Sequence, residues 1–145
     1  MAIHPNEDCI AAGTVQGQIL LWYNYLDCVP DEEQENNLKV IENKEYQPKN
    51  LIKPVKSTLH WHSLPVLCLN FTTEGSFLLS GGHECVLVKW MYKTGSKDFL
   101  PRLGAPLNEI ICSKDNTLYA LNHSDNCKFI FYKRMFSQLI NLKFK

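Results

Sequence analysis

Two spacings constrain this chain more than anything else in it. Gly13 precedes Trp22 by nine residues, and Gly81 precedes Trp90 by the same nine. Around each pair the pattern is an apolar run, a polar turn, a second run, another turn, and a third run ending in the Trp. The fullest copy starts with Val66-Leu67-Cys68-Leu69-Asn70-Phe71 and the turn Thr72-Thr73-Glu74-Gly75. It continues through Ser76-Phe77-Leu78-Leu79-Ser80 and the turn Gly81-Gly82-His83-Glu84 to Val86-Leu87-Val88-Lys89-Trp90. Short apolar runs bounded by Gly and polar clusters read as antiparallel strands in a meander. Their recurrence at fixed spacing reads as a structural repeat. The fold class is therefore all-β.

The other two copies are less complete. The first runs Ala2-Ile3-His4, the turn Pro5-Asn6-Glu7-Asp8, Cys9 to Gly13, and Gln18-Ile19-Leu20-Leu21-Trp22. It begins inside its first strand. The third runs Glu109-Ile110-Ile111-Cys112, the turn Ser113 to Asn116, Thr117 to Leu121, and Lys128 to Tyr132, with an outer strand expected within Met135 to Leu142. Alignment without gaps puts Phe131 at the Trp position, whereas one extra residue near Cys127 puts Tyr132 there. A slip of one residue would exchange the two faces of that strand.

Trp90 and Phe131 are 41 residues apart, within the period of about 40–45 of a four-stranded propeller blade. Trp22 and Trp90 are 68 apart, an excess of roughly 25 over that period. The surplus lies in a polar insertion at 28–56, with three prolines and the acidic cluster Asp31, Glu32, Glu33 and Glu35. Its apolar residues keep no period, so it reads as a surface loop. The expected units are 1–61, 62–103 and 104–145.

Composition excludes several functions. Fifteen basic residues balance fifteen acidic ones, so the excess of Lys and Arg expected of a direct nucleic-acid binder is absent. The tail residues Lys133, Arg134, Lys143 and Lys145 read as a solvated end. Any RNA is thus expected to be reached through other proteins. The amino terminus shows no secretory signal, and no run approaches the apolar length of a membrane span. Six cysteines without a C-x-x-C pair read as buried thiols in a reducing compartment. His60, His62, His83 and Cys85 lack zinc-site spacing, and no nucleophile elbow or phosphate-binding Gly loop occurs. Expected, therefore, are no catalysis, no metal, no cofactor and no small-molecule substrate.

The repeat resembles the WD-repeat family. Its signature residues are a His ahead of the first strand, a Ser before the Gly of the second turn, an acid in that turn, and a terminal Trp. His62, Ser80, Gly81, Glu84 and Trp90 occupy them in the middle copy, with the family's H-x-x-x-V spacing at His62 to Val66. Gly13 and Trp22 mark the first copy and Asp125 the third. Departures are Glu84 for the usual Asp, Trp61 for Gly before the His, and Met91 for Asp after the Trp. Ala12 and Gln16 replace the Ser and acid in the first copy, and Gly104-Ala105 stands where Gly-His would fall in the third. The resemblance implies a partial WD-repeat β-propeller of about three four-stranded antiparallel blades. It also implies a buried network in which His62 bridges a Ser hydroxyl and a turn carboxylate. Three blades leave two open faces, so a larger ring or a partner is expected to complete them.

A closer resemblance is to WD-repeat subunits of the nucleolar small-subunit processome. It is carried by Leu59-His60-Trp61-His62, Leu78-Leu79-Ser80-Gly81-Gly82, Val86-Leu87-Val88-Lys89-Trp90, Phe99-Leu100-Pro101-Arg102-Leu103-Gly104 and His123-Ser124-Asp125-Asn126. This implies a nuclear, nucleolar scaffold in a large ribonucleoprotein assembly, supporting pre-ribosomal RNA transcription and processing with the U-three small nucleolar ribonucleoprotein. The alternative is an adaptor of another complex, such as a ubiquitin-ligase receptor or a signalling scaffold. Arg102, in a connection between blades, is the candidate interaction residue.

Overall fold

The computed structural model describes residues 1–26, 54–100 and 103–125, together with the backbone of Cys127–Phe131 and Leu139–Leu142. Three four-stranded sheets follow one another along the chain. The first holds β1 (Ala2–Ile3), β2 (Cys9–Gly13), β3 (Gln18–Tyr23) and β4 (Val55–His60); the second holds β5 (Val66–Phe71), β6 (Leu78–Gly82), β7 (Leu87–Met91) and β8 (Ser96–Leu100). The third holds β9 (Leu107–Cys112), β10 (Leu118–His123), β11 (Cys127–Phe131) and β12 (Leu139–Leu142). In every sheet each strand pairs antiparallel with its neighbours in sequence, as meanders joined by tight turns do.

The sheets stack face to face, β1 and β2 against β5, and β5 and β6 against β9. Because successive strand residues point to opposite faces, Leu78 and Leu79 serve different cores. Leu78 joins Cys9, Ala11, Ile19, Leu21, Val88 and Trp90 between the first two sheets. Leu79 joins Cys68, Leu87, Leu107, Tyr119 and Leu121 between the second and third. Both are 0% exposed because the middle sheet is covered on both sides. Burying a side chain of that size contributes roughly 1.5–3 kcal/mol. On the first sheet Cys9 and Ala11 are buried, while Ile10 and Ala12, facing the other way, are half-buried.

Close approach at each junction depends on a missing side chain. A Cβ at Gly13 would lie 2.7 Å from Val66 Cβ, and one at Gly81 would lie 2.9 Å from Leu107 Cβ. Val66 and Leu107 hold the same place at the start of their inner strands. The two glycines that mark the repeat in sequence are therefore the seats for the next blade.

Three expectations change in detail. The insertion expected at 28–56 overlaps β4, whose Val55 and Lys56 already pair with Tyr23 and Trp22; residues 28–53 lie outside the described residues. Of the outer strand expected within Met135 to Leu142, the described part is Leu139–Leu142, paired with β11. In the third sheet neither aromatic takes the Trp position. Trp22 pairs with Ile10, Trp90 with Leu78, and the equivalent Tyr119 pairs with Ile130. The cause is a shorter turn: Ala12–Leu20 and Ser80–Val88 each enclose seven residues, Leu121–Lys128 six.

Candidate functional site

The middle blade places its signature residues around one buried point. His62 lies in the connection between β4 and β5, Ser80 on β6, Glu84 in the β6–β7 turn, and Trp90 on β7. The Trp90 Nε1–H donates to Ser80 Oγ at 2.8 Å, and Ser80 Oγ lies 2.8 Å from His62 Nε2. His62 Nδ1 is 3.2 Å from Glu84 Oε2. An indole nitrogen only donates and a carboxylate only accepts, so the protons have one consistent arrangement. Trp90 gives to Ser80, Ser80 gives to His62 Nε2, and His62 Nδ1–H gives to Glu84.

That arrangement needs a neutral imidazole. Burial lowers the His62 pKa from 6.5, outweighing the opposing effect of the Glu84 charge. Desolvation works to raise the Glu84 carboxyl, but the Leu64 N–H and His62 hold it below its usual value. Glu84 does more than hold His62. Its other oxygen accepts from the Leu64 N–H at 2.5 Å and from the Ser63 hydroxyl at 3.5 Å, clamping the connection that leads into β5.

The first and third blades lack this network. Ala12 and Gln16 stand at the Ser80 and Glu84 positions, and the Trp22 ring is half-buried with Lys56 Nζ 6.0 Å from its centroid. In the third blade Leu107 pairs with His123 as Val66 pairs with Gly82. Counting back four residues puts Leu103, rather than Ala105, where His62 stands; Leu103 is in the core, with its N–H on Cys85 O at 2.8 Å. Leu121 takes the Ser position. Asp125 therefore has no imidazole to hold and is exposed. Arg102 lies outside the described residues.

Sequence reasoning missed a second polar cluster, at the opposite rim. His4 is 5% exposed, and its Nδ1 accepts from the N–H groups of Asn6 and Glu7 at 3.1 and 2.8 Å. The proton is therefore on Nε2, which donates to Gly75 O at 2.9 Å and lies 3.0 Å from Tyr92 Oη. Tyr92 donates in turn to Glu7 at 3.1 Å. Burial and then the Glu7 hydrogen bond push the Tyr92 hydroxyl pKa up. Nothing in the repeat pattern flags His4; the turn-forming Pro5-Asn6 after it was the available signal. The rim continues through Thr73, which bonds Asn116 and Lys114 O in the next blade.

The chemistry available here is structural. Both nitrogens of His62 are engaged, and the thiols of Cys9 and Cys68 are pushed up to about 11 and about 12 by burial. His60 is exposed at the end of β4, and among the described residues no three metal-ligating side chains come together.

Stacked four-stranded meanders with glycine-seated junctions define a class, the β-propeller. A crystal structure of the Myceliophteria thermophila Cps50 (Swd1) β-propeller domain superposes with a TM-score of 0.67 over 97% of this chain and 37% of that one, at 17% sequence identity. More specifically, the chain belongs to the family of the WD repeat-containing protein 75 first β-propeller, whose model matches residues 1–126. WD repeat-containing protein 75 of Xenopus laevis is 42% identical over 127 residues, and that of Homo sapiens 38% over 136. U3 small nucleolar RNA-associated protein 17 of Schizosaccharomyces pombe is 38% identical over 96 residues, 66% of this chain. The chain spans 12% of the length of the Xenopus protein and 14% of the human one.

Proposed function

We propose that the chain is a non-catalytic scaffold element of a nucleolar pre-ribosome assembly, the small-subunit processome. There it supports transcription and processing of pre-ribosomal RNA alongside the U3 small nucleolar ribonucleoprotein. The observation that carries this reading is the family match over residues 1–126, joined by a relative named for its association with U3 small nucleolar RNA. The geometry supports a scaffold role as well. The polar side chains buried in the middle blade hold one another, and the turns they fix are left to face partners. Its partners are other proteins of the assembly, and RNA is reached mainly through them. Arg102, between β8 and β9, is the contact residue proposed from the sequence.

Imaging a fluorescently tagged chain in cultured human cells against a nucleolar marker tests this. Nucleolar enrichment is expected. An even cytoplasmic distribution of intact, soluble chain would overturn the proposal.

A further inference from the structure

The junction between the first and second sheets is held at its two rims by different chemistry. At the rim of the β2–β3 turn, the Val66 N–H donates to Thr14 O at 3.1 Å and Val66 rests on the Gly13 seat. No titratable group takes part in those contacts. At the opposite rim the same two sheets meet through one imidazole. His4 follows β1, and its Nε2–H reaches Gly75 O in the β5–β6 turn at 2.9 Å and Tyr92 Oη in the β7–β8 turn at 3.0 Å. The ring is seated without slack. A Cβ on Gly75 would lie 2.4 Å from its Cε1 and Nε2, and the Phe71 and Tyr92 rings flank it with centroids 4.9 and 5.6 Å away.

This cradle fits a neutral ring. Nδ1 accepts from the Asn6 and Glu7 N–H groups at 3.1 and 2.8 Å, so a proton on Nδ1 would point at two donors and break both bonds. Those bonds shape the turn 5–8, which is closed by the His4 N–H on Cys9 O at 2.9 Å and the Cys9 N–H on Glu7 O at 2.8 Å. The charged and titratable groups around the ring are Glu7 and Asp8 of its own turn, Cys9 on β2, Glu74 of the β5–β6 turn, and Tyr92 and Lys93 of the β7–β8 turn. The carboxylates are turned to other partners. Glu7 takes the Tyr92 hydroxyl and the Lys93 ammonium, Asp8 the Leu26 N–H, and Glu74 the Asn116 amide. Imidazole is the side chain that ordinarily changes charge between about pH 5 and 8.

We infer that His4 is an acid-released latch: a proton on its Nδ1 opens the turn 5–8 and frees the first sheet from the second at this rim, while the Thr14–Val66 rim stays closed as the hinge. Opening uncovers Cys9, which is 0% exposed in the latched form. At the same rim the second and third sheets are joined by the Thr73 hydroxyl and backbone N–H on the Asn116 amide, groups that do not titrate, so that junction stays shut. The inference is independent of the scaffold reading.

Hydrogen–deuterium exchange of the full chain tests it, read by mass spectrometry at pH 7.5 and pH 5 and corrected for the intrinsic pH dependence of exchange. Local opening reads out segment by segment, so protection of residues 2–13 is expected to fall about tenfold more than that of residues 107–121. His62→Gln is expected to keep that difference, which separates the latch from the His62 network. His4→Asn, whose amide takes up no proton in this range, is expected to lose it. Circular dichroism establishes that both variants fold. A fall in 2–13 no greater than in 107–121, no fall in either, the same difference in folded His4→Asn, or its loss in folded His62→Gln would each overturn the latch. Should His4→Asn fail to fold, the comparison of the two segments in the unsubstituted chain and in His62→Gln decides by the remaining outcomes.

Discussion

Ser80 is the residue on which the middle blade turns, because its single hydroxyl takes a proton from Trp90 and gives one to His62. Ser80→Ala leaves an indole N–H and an imidazole nitrogen buried without partners. An unmet buried group costs about 1–3 kcal/mol, so a loss of about 2–4 kcal/mol is expected in urea unfolding, against a much smaller loss for Glu84→Gln. The pH dependence has a definite sign. His62 has its pKa lowered in the folded state from 6.5, so below that value the unfolded chain binds the extra proton first. Its stability contribution is complete above about pH 6.5 and is lost as pH falls through the lower folded value. Glu84, also lowered, from 4.5, acts in the same direction at more acid pH. Thermal melts are expected to show a lower midpoint at pH 5 than at pH 7.5, with a flatter profile for His62→Gln. The four residue types at their spacings made this site legible in the sequence. The clamp of Glu84 on the Leu64 N–H was not, since a backbone N–H leaves no mark in a residue pattern.

The turns between strands differ in what they tolerate. Gly17 and Cys85 hold equivalent places in the β2–β3 and β6–β7 turns, each closed by an N–H···O bond of 3.3 Å, and both have positive φ, +79° and +59°. A side chain in that region costs roughly 1–2 kcal/mol. Cys85→Gly is therefore expected to raise stability. Gly17→Ala should lower it well beyond Gly95→Ala, because Gly95, at φ +75°, has open space where Gly17 meets a carbonyl. Denaturant titration of the three variants checks the order. The strands themselves were legible because apolar runs and Gly-rich turns alternate so regularly. The third blade was harder. Its β10–β11 turn is one residue short, which moves Ile130 rather than Phe131 or Tyr132 opposite Tyr119, and pattern matching anchored on aromatic residues could not detect that. Leu103 replacing the signature His was hidden for a similar reason. Only the pairing of Leu107 with His123 fixes the count.

At the scale of the molecule, the first sheet has a face that none of the described residues covers. Ile3, 60% exposed, pairs with Ile10 and Ile10 with Trp22, so the three lie in one row, with Leu20 in the next. The equivalent Phe71, Leu78 and Trp90 of the middle blade are buried against the first. Trp22 is the same residue without its cover. Open apolar sheet faces associate, so the isolated chain is expected to sediment as concentration-dependent oligomers, and Trp22→Glu to shift it toward monomer in analytical ultracentrifugation. A scaffold works by being surrounded, and the most direct test is what surrounds it. The tagged chain would be purified from cells and its bound proteins and RNA sequenced. Recovery of small-subunit processome proteins together with U3 RNA is expected. Recovery of a ubiquitin ligase or signalling complex, with neither processome proteins nor U3 RNA, would contradict the nucleolar role and leave the propeller fold untouched.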